Sequence, residues 1–164
     1  MDIKESFKVG LYFGLTSGAI TTMGVMVGLY AGTNSVNVVT GGILTIAIAD
    51  AFSDALGMHV HEESENAHTP REIWESTLAT FFSKFLFSLT FLVPLFIFPV
   101  KLAVVISVLW GLSTVAFLSY KIAKEQGTSP VKAILEHVMI AVVVVLMTQV
   151  VGNWVASLDG KILF

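Results

Sequence analysis

Between residues 50 and 65 the chain reads DAFSDALGMHVHEESE, with five carboxylates and two histidines following directly on the apolar run GGILTIAIA. At 100° per residue a helix projects Asp50, Asp54, Met58, His61, Glu62 and Glu65 within an arc of about 120°, with His59 on the opposite side. Carboxylate oxygens, an imidazole and a thioether suit a first-row divalent ion such as Fe(II) or Mn(II). Calcium or magnesium would be held by oxygen ligands without the methionine. If the helix enters a bilayer near residue 38, Asp50 lies roughly 18 Å along it, past the middle of a hydrocarbon core about 30 Å thick. A carboxylate there costs at least ~2.5 kcal/mol, so a positive charge must compensate for the pair Asp50 and Asp54. That charge is a metal ion, protons, or Lys84 from the next apolar segment. In the last case the pair is structural and the distal acids are an ordinary solvated helix end. Glu63, Glu72 and Glu75 read as loop charge, and His59 and His68 as surface residues. HEESENAH departs from the H-E-x-x-H zinc spacing, because Glu65 occupies the fifth position.

The elements that would position this stripe are membrane helices. Of 164 residues 55% are hydrophobic and only 13% charged, whereas a soluble domain carries about 25% charged residues; mean hydropathy is +0.83. Five segments reach the length of about 20 apolar residues that a span requires: 9–31, 37–60, 78–99, 101–121 and 131–157. The expected fold is therefore all-α, a single five-helix membrane domain with a short acidic connection over 61–77. MDIKESFK offers no signal-peptide cleavage pattern, so the first segment is read as a spanning helix. Lys4, Lys8, Arg71, Lys84, Lys121, Lys124 and Lys132 fall on one side, and Lys101 and Lys161 on the other. The basic excess places the N-terminus and the acidic connection in the cytosol and DGKILF outside. With a net charge of -3 and scattered basic residues, no nucleic-acid surface is expected. The absence of cysteine excludes thiolate sites.

The first segment carries Gly10, Gly14 and Gly18, then Gly24, Gly28 and Gly32, all on one arc. Such small-residue faces allow close helix approach within or between subunits. Thr16, Ser17, Thr21 and Thr22 lie near it and either offer hydroxyls to an ion or bond to their own backbone. In the last segment Glu136 and His137 sit near the cytosolic end and Thr148 lies deeper. Gln149 and Asn153, one turn apart, read as helix-joining residues. Pro94 predicts a kink.

These segments resemble a known family. GLTSGAITTMGVMVGLYAG is similar to the GLNDGLVTTFxxVAGVAGA pattern of the vacuolar iron transporters, and IADAFSDALGMHVHEESE to their LANLLADALSMxxGEYLSxKxE. LMTQVVGNWVA resembles the final ALTYLIGRLL, and LVPLF the family's IPLLP. The resemblance implies a homodimer of five-helix subunits that exports Fe(II), often also Mn(II), in exchange for protons. The path would run between the subunits, lined by the first two helices. Met58 matches the path methionine, Glu62 the glutamate of GEY, and Asp54 the residue four before the methionine. The glycine-rich first helix would be the dimer seam. Thr16 and Ser17 replace the family's Asn-Asp, and Asp50 replaces its Asn, which moves a carboxylate from the first helix to the second. Only about fifteen residues stand where the family's best-known members insert a glutamate-rich helical domain. Glu62, Glu65, Glu72 and Glu75 are then either a reduced metal-collecting site or loop charge.

The resulting expectation is a proton-coupled exporter of divalent transition metal, not an enzyme, with no cofactor, in a prokaryotic cell membrane. His61, Glu62 and Glu65 gather the ion, which passes Met58 to Asp54 and Asp50, with Ser17 and Thr21 opposite. Protonation of the two aspartates releases it. The competing reading is a membrane-embedded assembly subunit that holds a Lys84 ion pair. An intramembrane enzyme lacks a nucleophile–base set.

Overall fold

A computed structural model describes residues 3–158, with side chains from Glu5 onward. Its described residues form six α-helices and no strand: α1 (Ile3–Thr33), α2 (Val36–Ser64), α3 (Pro70–Thr90), α4 (Leu92–Ile97), α5 (Val100–Glu125) and α6 (Pro130–Ala156). Counting α3 and α4 as one span, five are long and apolar enough to cross a membrane, as the hydropathy pattern implies. The chain is an integral membrane protein. The segment Asp159–Phe164, expected outside the cell, lies beyond the described residues. Because lipid offers no hydrogen-bond partners, each span satisfies its backbone internally as a helix. The bulky side chains left exposed, such as Phe52, Leu56, Leu146 and Val150, face the hydrocarbon.

The α1 helix is central and touches α2, α3, α5 and α6. Its Ala19, Met23 and Met26 are fully buried against Val39 and Ile43 of α2, Phe87 and Phe91 at the end of α3, and Ala103 and Val115 of α5. The helix α6 is peripheral and buries only Ala141 and Gly152. The glycine face of α1 explains the central position. A Cβ on Gly10 would lie 2.2 Å from the Ser76 carbonyl oxygen, and one on Gly14 would lie 2.6 Å from that of Thr80. Gly18 similarly makes room for Lys84, whose Cγ would sit 3.3 Å from such a Cβ. Gly24, Gly28 and Gly32 face Val144, Thr148 and Gly152 of α6. The seam expected between subunits is thus filled by α3 and α6 of the same chain. Sequence spacing revealed the close approach but not which helices use it.

The α2–α3 connection is shorter than the expected 61–77. The α2 helix continues to Ser64, and α3 starts at Pro70. Thr69 caps α3 by accepting from the Glu72 backbone N–H. In return the Glu72 carboxylate accepts from the Thr69 N–H at 2.7 Å and its hydroxyl at 2.7 Å. Pro70 occupies the first turn, where its missing N–H costs nothing. Glu72 is therefore buried cap chemistry and not solvated loop charge. We expect Thr69→Ala to lower stability by roughly 1 kcal/mol, read from SDS-driven unfolding in mixed micelles.

Pro94 lies inside a spanning helix. Lacking an N–H, it cannot bond the Thr90 carbonyl one turn back. The helix accordingly breaks after Thr90, and Phe91 turns back onto the Ser88 carbonyl at 3.2 Å before α4 resumes. The expected kink is a break between two helical pieces.

Candidate ion site

On α2, Val39, Ile43, Ala47, Ala51, Ala55, Met58 and Glu62 form the buried stripe. Three alanines in succession hold α2 close to its neighbours. Asp50 and Asp54 lie beside that stripe, one turn apart, and reach the α1–α3 boundary. Lys84 meets them from α3. It is fully buried, the largest side chain among the described residues to be so.

The Lys84 ammonium lies 2.5 Å from Asp54 Oδ2 and 2.5 Å from Asp50 Oδ2. It donates a hydrogen bond to Asp54 and a second, at 2.9 Å, to Ser17 Oγ on α1. Ser17 in turn donates to Asp54 Oδ2 at 2.6 Å. The contact with Asp50 is an ion pair without hydrogen-bond alignment, since Asp50 Oδ2 accepts no hydrogen bond. Asp54 is therefore clamped by two donors, whereas Asp50 is held by charge alone. The Asp50 side chain is 26% exposed, against 1% for Lys84. It opens onto a groove between α1 and α2 that Val25, Gly42, Thr45, Ile46, Ala49 and Ser53 also line.

The competing reading of the pair, neutralisation by Lys84, is thus realised in the geometry. It is incomplete in charge. Two carboxylates and one ammonium, all ionised, leave one negative charge in excess inside a spanning helix bundle. A proton or a further cation is required to balance it.

The remaining residues of the polar stripe do not join this site. Met58 is buried one turn further along α2. Glu62, about 12 Å beyond Asp54 by helical rise, belongs to a cluster at the α2–α3 turn. There His68 Nε2 lies 3.3 Å from Glu62 Oε2 and 3.0 Å from Glu65 Oε2, and His61 Nε2 lies 3.5 Å from Glu65 Oε1. Among the described residues no three histidine, aspartate or glutamate side chains converge as a metal-holding group. The stripe carries two separate polar clusters, with Met58 between them on α2. Thr21, expected beside Ser17 on the path, donates its hydroxyl to the Ser17 carbonyl at 2.9 Å.

Both histidines read as surface residues do structural work between helices. His68, only 10% exposed in its side chain, closes the turn onto Glu62 and Glu65. His59 Nδ1 is 3.0 Å from Thr77 Oγ1, and its ring packs edge-on against Trp74 at 4.9 Å. Glu75, also read as loop charge, is paired with Arg71 at 3.4 Å. At the same end Lys8 pairs with Glu125 at 2.5 Å, and His137 Nδ1 lies 2.9 Å from Ser119 Oγ, which ties α5 to α1 and α6. Gln149 and Asn153 make no helix-joining bond: they line an open cleft at the opposite end.

Comparisons with family models, with curated proteins and with solved structures find no match.

Proposed function

We propose that this chain exports a divalent transition metal, Fe(II) and with it Mn(II), from the cytosol in exchange for protons. The observation that carries the reading is the Lys84 ammonium seated between Asp50 and Asp54, with one negative charge to spare. A pair of carboxylates that already holds a cation in a spanning bundle is a site built for cations. In the resting state a proton balances the excess charge. A divalent ion entering along the α1–α2 groove meets the loosely held Asp50 first, displaces the ammonium, and takes both carboxylates with Ser17 Oγ beside them. Two protons leave as it binds, one from the carboxyl and one from the ammonium, so that the charge of the ion equals that of the pair. Return of protons from the far side releases the ion and lets Lys84 resume its place. Glu62, Glu65 and His68 stand at the polar end as the collecting mouth, on the cytosolic side in the orientation that the basic excess favours.

The groove opens on the outer face of α2, and this is where we place a second copy of the chain. Gly41, Thr45, Ala49, Ser53 and Gly57 recur every four residues there and are all exposed. Nothing lies within 4 Å of a Cβ built on Gly41 or Gly57. This stripe, and not the occupied one on α1, is free to form a close helix contact. The chain contains no cysteine, so Gly41→Cys and Gly57→Cys report directly. Disulfide-linked dimers from both, with none from Phe96→Cys, are expected. Crosslinking that ignores the position would contradict the seam.

Transport is tested in proteoliposomes containing a metal-quenched dye under an imposed pH gradient. Entry of Fe(II) or Mn(II) that accelerates with the gradient is expected, since a site of this kind couples the two fluxes through shared carboxylates. Entry no faster than in empty liposomes would instead support the assembly-subunit reading, in which Lys84 merely neutralises the acids.

A further inference from the structure

At the end of the bundle opposite Glu62 and His68, α1, α5 and α6 enclose a cleft of about 530 Å³. Its deep wall is apolar, formed by Val27, Val104, Val108 and Val145, while Tyr30, Asn34, Lys101, Gln149 and Asn153 contribute polar side chains. None of these five side chains forms a hydrogen bond or ion pair with another described residue. Lys101 is the only charged residue at this end among those described. Gln149 lies seven residues before the end of α6, so its amide sits about 10 Å inside that end. A free amide at that depth is costly in hydrocarbon. The α5 helix begins at the same place without a side-chain cap, so its positive dipole end also faces the mouth. An occupant must be negatively charged at the mouth, able to accept hydrogen bonds lower down, and apolar beyond.

We infer that this cleft binds one anionic phospholipid of the surrounding leaflet. The phosphodiester meets Lys101, Asn34 and Asn153, the ester carbonyls accept from the Gln149 amide, and an acyl chain runs along Val104 and Val108. A zwitterionic lipid fits less well, because its own ammonium group offsets the phosphate charge that Lys101 meets. The site shares no residue with the ion pair and stands whether or not the chain transports metal.

The test is native mass spectrometry of the full chain in neutral detergent, offered equimolar phosphatidylglycerol and phosphatidylcholine of the same chain length. One phosphatidylglycerol per chain is expected, retained about fivefold over phosphatidylcholine. Lys101→Gln should abolish the preference, and Gln149→Leu should reduce retention of both lipids while melting with the wild type. Equal retention of the two lipids, or a preference that survives Lys101→Gln, would overturn the inference. So would displacement of the lipid by millimolar inorganic phosphate, which would make this a free-anion site. Crosslinking of Lys101→Cys to a second copy, with loss of lipid, would assign the cleft to a protein contact and overturn it likewise.

Discussion

Lys84→Met will destabilise the bundle by about 3–5 kcal/mol, the range for removing one partner of a buried ion pair. The substitution leaves Asp50 and Asp54 one turn apart without a counter-charge, and Asp54 loses its shortest donor. The aspartates behave differently because either one alone balances Lys84. Asp50→Asn should change stability by less than about 1 kcal/mol, since that carboxylate accepts no hydrogen bond and is partly exposed. Asp54→Asn should cost roughly 1–3 kcal/mol, for the bonds from Ser17 and Lys84. Removing both strands the ammonium and costs as much as Lys84→Met. Combining both with Lys84→Met leaves a site without charge and recovers most of the loss, because a buried ion cluster replaced as a whole is often neutral in stability. Unfolding in SDS–detergent mixtures measures the set. Additive losses across the triple variant would refute the charge logic.

Gly152→Ala will be nearly as damaging, by roughly 2–3 kcal/mol, as an overpacked contact with no room to relax. The new Cβ would stand 2.2 Å from the Gly28 carbonyl oxygen and 3.0 Å from the Gly32 backbone nitrogen. Backbone cannot rotate away as a side chain can, so α6 must separate from α1. That matters because Gly152 is one of only two residues that α6 buries, with Ala141. Gly57→Ala provides the contrast. With no atom of its own chain within 4 Å, the added methyl meets nothing inside the subunit and should stabilise the detergent-separated monomer by about 0.5–1 kcal/mol. Equal losses at the two glycines would mean that the α1–α6 approach is not the source of the effect.

The parts of this architecture that depend on local pattern were legible in the sequence. Span lengths follow from runs of apolar residues. The polar face of α2 follows from helical geometry, and Lys84 could be named as a partner because few cations lie deep in any span. What the sequence did not reveal depends on which helices meet. The six glycines on α1 announced close packing, but their spacing is equally compatible with a second subunit or with α3 and α6. The α2 stripe from Gly41 to Gly57 interleaves two glycines with threonine, alanine and serine. It was legible by the same rule, yet the richer glycine face of α1 drew the assignment. Helical projection aligned Asp50 with Glu65 on one face but carries no axial rise; twelve residues separate Asp50 from Glu62, about 18 Å along the axis, so the two ends form separate clusters. The T-P-R-E run of Thr69–Glu72 carried a capping-box signature within the segment read as a loop, and recognising it would have placed the start of α3. Gln149 and Asn153 carried no signal separating a helix joint from an open cleft, because that distinction lies in the spacing of α1, α5 and α6.

The central claim is that metal and protons share the carboxylates beside Lys84. Its most direct measurement records metal entry and lumenal pH together in proteoliposomes, for the wild type and for the charge-free Asp50→Asn, Asp54→Asn, Lys84→Met triple variant. The triple variant is chosen because it should fold. In the wild type, Mn(II) entry should be accompanied by proton movement in the opposite direction, and both signals should vanish in the folded triple variant. Metal entry that persists in that variant, or that proceeds in the wild type without any proton signal, would contradict the account.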